Sequence, residues 1–585
     1  MSVQIKMRQR ANGIDRGEVF KGKIVGATKE ILECRLFQEE ADTLNDPLFL
    51  IERKGKKKQK SFQEGDSVTI VVLGKYPQKN NTYTARFFSG RSGFLRDIDE
   101  IAKRRNGFPE SYFGDALLQK STDHPDRRDL CDLPFVTIDG EDARDFDDAI
   151  FVEKDSQGYL LSVAIADVCH YVPRAKRRDL ESLDSEAARR GNTFYFLTSS
   201  LPMLPPLLCD DLCSLRPQEE RAAIVCEMRF SLAGEEEKST FYPARIESKA
   251  RLSYHFVQKL LLEEDEACMD SLLENPSGEA IARSLHSALS LAKILHEKRV
   301  ERGSLDIQGY EIGYIVDEHA WLLGMKYEKS NWANRIIEEC MIKANEACAR
   351  FLTENDLPFL YRVHPKPEEG RVEECLHLLS RLENSPLKSG KKNRSRFFNL
   401  SRLSALFSQS PYEPLFRRQL LSLLPKALYQ RENIGHFGLA SSCYCHFTSP
   451  IRRYADIICH RAMRLALDIS DEAILANKRL DHMASHLNAQ ERISQENERT
   501  LPRLCACFLL SQDRSEHPAM ITSIERYGFF VTLLDMPADG LVRFWSSRGD
   551  GAEYLRKKGL FLGSRIRVRA FSVDFDRLHI DFDHV

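Results

Sequence analysis

Hydrophobic and polar positions change their period along this chain. From about residue 18 to 88, short β-branched and aromatic runs (Val19–Val25, Leu48–Ile51, Ser67–Leu73, Thr82–Phe88) are separated by turn residues. That spacing predicts a small closed barrel of OB type. The C-terminal stretch, about 515 to 583, repeats the texture. Ala519–Leu533 reads as two strands joined at Tyr527-Gly528, and Asp539-Gly540-Leu541-Val542 starts another. Ser564–Phe571 alternates strictly, which places Arg565, Arg567 and Arg569 on one face and Ile566, Val568 and Ala570 on the other. The middle is mixed. Strands dominate near 135–170 and 221–246, and amphipathic helices follow at Ala280–Lys298, Arg335–Leu352 and Leu475–Glu498. The prediction is an α+β core between two OB-type β-barrels, with spans of 1–90, a connector 91–130, a core 131–510 and a C-terminal barrel 515–585.

Within the core one segment stands out. FVTIDGEDARDFDDAI carries Asp139, Asp142, Asp145, Asp147 and Asp148, five aspartates in ten residues. Strand-forming Phe135–Ile138 runs into the first and Ala149–Val152 follows the last, so the carboxylates gather where two strands meet. Like charges repel and raise one another's pKa. A divalent cation reverses that sign, and Mg²⁺ takes hard oxygen ligands while keeping waters that a phosphate can replace. An EF-hand loop needs D-x-[DN]-x-[DN]-G, whereas here Gly140 directly follows the first Asp. From the residues alone a phosphotransfer or nuclease site and a structural acidic loop both stand.

Composition narrows the class. Hydrophobic content of 42% and charged content of 29% fit a globular protein. No apolar run is long enough to span a membrane, and MSVQIKMRQRANG has no secretory core, so a cytoplasmic protein without membrane contact is expected. Fifteen cysteines then read as reduced thiols, and neither Cys209/Cys213 nor Cys443/Cys445/His446 has paired zinc-ligand spacing. Net charge is −2, so a nucleic-acid partner is visible only locally, in Arg53–Lys60 and Lys388–Arg396. Arg565, Arg567 and Arg569 beside Tyr527, Phe529 and Phe530 have the composition of a stacking platform for single strands, one of the two phenylalanines being expected to fill the barrel.

The acidic segment resembles the signature of the RNB exoribonucleases, the ribonuclease II and ribonuclease R family. Further blocks continue the resemblance in family order: Arg190–Phe196, Leu201–Pro205, Leu212–Pro217, Ile246–Tyr254, Ile337–Asn345, and His436–Ala440 with His446–Tyr454. The core DGEDARDFDDA is closer to the ribonuclease R branch. The resemblance implies cold-shock-like and S1-like barrels around an RNB core, and processive 3′→5′ hydrolysis of single-stranded RNA to nucleoside 5′-monophosphates. It implies Mg²⁺, with Mn²⁺ as a substitute, and a monomer whose partner is an RNA 3′ end. Structured RNA with a 3′ overhang is the extended substrate class. About 130 residues precede the core, and Asp583-His584-Val585 closes the chain without a lysine-rich run, so strong duplex opening is not expected.

The same resemblance implies residue roles. Asp139, Asp145, Asp147 and Asp148 would be the metal set. Asp147, Asp145 and Arg452 would be catalytic, Asp147 organising metal and attacking water and Arg452 meeting the scissile phosphate. Tyr195, Tyr254, Glu338, Arg452, Arg453, Tyr527 and Phe529 would touch RNA: the two core tyrosines by stacking on the last nucleotides, Glu338 at the terminal sugar. Glu339 stands as an alternative to Glu338, and Arg453 as a partner for an acid. Asp142 reads as a loop residue, and His436, His446 and His460 as hydrogen-bonded structural histidines.

Overall fold

The computed structural model describes the backbone of five strands between residues 19 and 87, and then residues 93–106, 127–174, 182–305, 310–318, 320–329, 331–380, 400–407, 410–469, 475–544 and 551–585, with residues 382, 385 and 387. The basic runs 53–60 and 388–396 lie outside the described residues.

Two barrels share one topology. Strands Val19–Ala27, Ile31–Leu36, Leu48–Glu52, Ser67–Lys75 and Thr82–Phe87 close a five-stranded barrel in the order first, second, third, fifth, fourth. Strands Glu516–Glu525, Gly528–Leu533, Asp539–Arg543, Arg565–Asp574 and His579–His584 close a second in the same order. Five strands in this closed order are the OB arrangement.

In the second barrel the arginine stripe faces out as its alternation requires: Arg565, Arg567 and Arg569 are exposed while Ile566, Val568 and Ala570 are buried. Phe529 corrects the sequence reading. It is 0% exposed, packed with Ile521, Val531 and Phe582, and does not face RNA; Tyr527 is 55% exposed. Adjacent strand residues point to opposite faces, so it is Phe530 that is only partly covered.

The core is a seven-stranded sheet in the order Ala250–Ser253, Val136–Asp139, Asp148–Lys154, Gly158–Ala166, Glu220–Ser231, Glu236–Glu247, Arg128–Asp129. Its central strands are nearly continuous in apolar residues because both faces are covered. Ile150, Val152, Val163, Ile165, Ile224 and Cys226 pack on one side with helices Gly278–Glu301 and Trp332–Glu354. Ala149, Ala164, Ala166, Ala223 and Val225 pack on the other with helices Tyr454–Ala466 and Asn477–Gln512. The last helix outruns the expected end at Glu498. It continues through Pro502 because Leu504, Cys505, Cys507, Phe508 and Leu510 bury against the C-terminal barrel. That packing outweighs the backbone hydrogen bond Pro removes.

Candidate active site

The strand Val136–Asp139 ends at Asp139, and the strand Asp148–Lys154 begins at Asp148. The two pair antiparallel at Val136↔Ile150, so the intervening loop sits at the strand ends of the sheet. Each part of that loop is tied down. Arg251 donates to the carbonyls of Gly140 and Glu141. Buried Ser214 accepts from Phe146 N at 3.0 Å and donates to Arg144 O at 2.6 Å. Ala166 N donates to Asp147 O at 2.9 Å. Four carboxylates are thereby held in a small space, while Asp142 points to solvent on the turn.

Asp147 lies deepest, 4% exposed. Its Oδ1 accepts from Ile451 N at 2.8 Å and its Oδ2 from Arg452 Nε at 3.3 Å. Burial pushes its carboxyl well above the usual range, against the pull of Arg452 and the Ile451 N–H, and Asp145 and Asp148 push the same way. Asp139 and Asp148 are raised too, by burial first; Asp145 adds its charge against Asp139, and Asp139 adds its charge against Asp148. These carboxylates resist being anions together, which fits a donor set completed by a divalent cation. Among the described residues no three His, Cys, Asp or Glu side chains close into a cage for one ion. Mg²⁺ does not require one: it is held through one or two carboxylates, waters and substrate phosphate.

Arg452 reaches in from the segment before helix Tyr454–Ala466 and is held by Ser449 Oγ at 3.0 Å. It keeps 44% of its side chain open. Its carbonyl accepts from Thr193 N at 3.0 Å, which brings the short strand Phe194–Tyr195 alongside. Tyr195, partly exposed, donates its hydroxyl to Asp145 Oδ2 at 3.0 Å. Tyr254 opens helix Tyr254–Leu262 straight after the strand Ala250–Ser253, whose Ser253 is in register with Asp139. Its phenol is pushed up by burial and then by the charges of Asp139 and Asp148, so both tyrosines are neutral beside the acidic loop.

Other expected residues fall outside this cluster. Arg453 grips Asp456 with two bonds of 2.8 Å and braces the start of its helix, the acid-paired reading, so its guanidinium is already engaged. Of the glutamate pair, Glu339 is buried on Arg299 and His296, whereas Glu338 keeps its carboxylate open with Arg299 at 3.1 Å. The histidines are hydrogen bonded: His436 accepts from Leu439 N, His446 pairs with the Tyr429 hydroxyl and His460 with Phe447 O. Sequence reasoning passed over Ser214 and Arg251, although both lie in blocks that continue the family resemblance.

Comparison with known proteins agrees with this architecture. Residues 127–469 match the RNB domain. Ribonuclease R of Escherichia coli (strain K12) is 36% identical over 479 residues, which are 78% of this chain and 57% of that protein. Ribonuclease R of Aquifex aeolicus (strain VF5) is 34% identical over 558 residues, 90% of this chain and 76% of that one. The structure of Mycoplasma genitalium RNase R in complex with ribose methylated single-stranded RNA superposes with a TM-score of 0.75 at 26% identity, covering 97% of this chain and 90% of that one. The chain spans little more than half the length of its Escherichia coli relative. With its acidic loop, the whole seven-stranded sheet and the helix that follows Arg452 and Arg453 inside the matched span, the chain belongs to the RNB domain family.

Proposed function

We propose that this chain is a 3′→5′ exoribonuclease that hydrolyses single-stranded RNA to nucleoside 5′-monophosphates, with Mg²⁺ held by Asp139, Asp145, Asp147 and Asp148 and Mn²⁺ able to replace it. One observation carries the reading: four carboxylates gathered at the strand ends of the sheet, with Asp139, Asp147 and Asp148 disfavoured as anions by burial and by neighbouring charge and the Arg452 guanidinium beside the deepest of them. The bound metal supplies charge neutralisation and an activated water for phosphodiester hydrolysis. Arg452, fixed by Ser449 and Asp147, offers donors to a phosphate oxygen as charge develops on it. Tyr195 and Tyr254 present neutral rings beside the loop, where stacking holds the last nucleotides without reading a base. Glu338, the open member of its pair, suits a ribose 2′-hydroxyl.

The C-terminal barrel feeds the strand through Tyr527 and the exposed arginine stripe. The names of the relatives and the RNA in the Mycoplasma genitalium structure support an RNA substrate. Among the described residues no helix is long and apolar enough to cross a membrane. The reading has the enzyme working as a monomer in the cytoplasm.

The test is a time course on 3′-tailed RNA labelled at its 5′ end, with Mg²⁺, with EDTA, and on a circular control. Mononucleotides and a short labelled remnant, from linear RNA and only with metal, are expected. Binding without cleavage, or cleavage of the circle, would overturn the assignment.

A further inference from the structure

Tyr195 sits on a hairpin that cannot hold itself. Its strands, Phe194–Tyr195 and Ser200–Leu201, are two residues each, pairing only at Phe194↔Leu201 and Tyr195↔Ser200. A ladder that short is not stable alone in water. Its support comes from helix Leu95–Asn106, which lies in the connector far upstream of the acidic loop. Asp99, 1% exposed, takes the turn in its carboxylate. Oδ1 accepts from Leu197 N at 2.7 Å, and Oδ2 from Thr198 N at 2.8 Å, Thr198 Oγ1 at 2.7 Å and Ser199 Oγ at 3.4 Å.

Two more residues of the same helix reach the hairpin. Lys103 stands over the Phe196 ring at 5.1 Å. Asn106 Nδ2 donates to the Asn497 side chain at 3.1 Å, and Asn497 Nδ2 donates to Tyr195 O at 2.9 Å. Positions 99, 103 and 106 are spaced by four and three, so they form one stripe of the helix. The adjoining side, Leu95, Ile98 and Ala102, is buried with the long helix and the C-terminal barrel.

We infer that Asp99 is a positioning residue of the active site: through the 197–199 turn it holds Tyr195 where its hydroxyl meets Asp145. The helix is anchored by its apolar side and grips the hairpin by its polar stripe, so the ring cannot drift without breaking bonds to a buried carboxylate. This rests on the exoribonuclease reading given above.

A double-mutant cycle tests it. Parent, Asp99→Asn, Tyr195→Ala and the double variant are assayed for kcat and KM on a short single-stranded oligoribonucleotide with Mg²⁺, well below the melting temperature of the weakest variant. Thr198→Val, which removes one side-chain bond and leaves the carboxylate, is the milder probe should Asp99→Asn fold poorly. Ile98→Val, on the apolar side, is the control for stability alone. Expected is a fall in kcat of about ten-fold for Asp99→Asn, a smaller fall for Thr198→Val, and a parent kcat for Ile98→Val. In the Tyr195→Ala background Asp99→Asn should change kcat by less than about two-fold. Additive losses, or a kcat loss in Ile98→Val that tracks melting temperature, would overturn the positioning role while leaving the exoribonuclease reading intact. A parent chain that cleaves no RNA removes that reading and the inference with it.

Discussion

Asp147 and Arg452, 305 residues apart in the chain, meet as one unit, with the Arg452 Nε 3.3 Å from Asp147 Oδ2 while the neighbouring Ile451 N–H holds Oδ1 at 2.8 Å. One carboxylate is thus registered by two consecutive residues. The acidic loop cannot shift against the arginine that shares its charge, and a phosphate entering between them meets a fixed pair.

Asp147→Asn should separate chemistry from folding. The amide oxygen still accepts from Ile451 N, and a buried charge is removed. The melting temperature is expected to hold or rise and RNA affinity to stay within a few-fold, while hydrolysis falls by at least about a hundred-fold. Hydrolysis at the parent rate would disqualify Asp147.

Arg452→Lys keeps the charge and loses the planar fork. We expect kcat to drop by about 10²–10³ with KM nearly unchanged, and Arg452→Ala to drop further. An equal rise in KM with constant kcat would mean that Arg452 only binds RNA.

Metal should show itself without RNA. Mg²⁺ added to EDTA-treated protein is expected to raise the melting temperature in a saturable way, because it binds the native carboxylates and not the unfolded chain. The quadruple change of Asp139, Asp145, Asp147 and Asp148 to Asn should abolish that shift. A shift that survives would place the ion elsewhere.

Acid should weaken the fold around His436. Burial, and then His364, hold its pKa down at about 3, and burial also lowers His364, His446 and His460. A histidine held neutral contributes stability that is complete above the unfolded value of roughly 6.5 and lost as pH falls from there toward the folded value, at up to about 1.4 kcal/mol per pH unit. The acidic loop shifts in the opposite sense, so the measurement is a difference. Between pH 7.5 and 5 the parent should lose more melting temperature than His436→Asn, whose amide can still accept from Leu439 N. Parallel curves would contradict a neutral His436.

The barrel aromatics should part ways. Phe529→Ala removes a fully buried ring and is expected to cost about 3–5 kcal/mol of stability. Tyr527→Ala should leave the melting temperature alone and weaken binding of single-stranded RNA by about 1–3 kcal/mol, read from equilibrium titration. The reverse pattern would restore Phe529 as the RNA contact.

Much of this was legible in the sequence because it is local. The acidic loop is flanked by its own strands, and strict alternation in Ser564–Phe571 sets the arginines apart from the apolar face. What was not legible depends on partners distant in sequence. Alternation says that Phe529 and Phe530 face opposite ways but not which way is in; the barrel's closure decides that. Glu338 and Glu339 are neighbours of one type that both reach Arg299 on another helix, and only burial and the added contact with His296 set Glu339 apart. Asp99 and Asn497 carry no local signal, since a lone Asp or Asn in a polar helix is ordinary until the hairpin it holds is seen.

The distance along the chain between Asp147 and Arg452 also has a meaning in time. At about 5–20 residues per second of synthesis, roughly 15–60 seconds separate the appearance of the acidic loop on the ribosome from that of its arginine. Asn497, which holds Tyr195 in place, follows later still. A half-made chain therefore carries its carboxylates without the groups that aim them. On the exoribonuclease reading proposed above, that order leaves the site unassembled until most of the chain has been made.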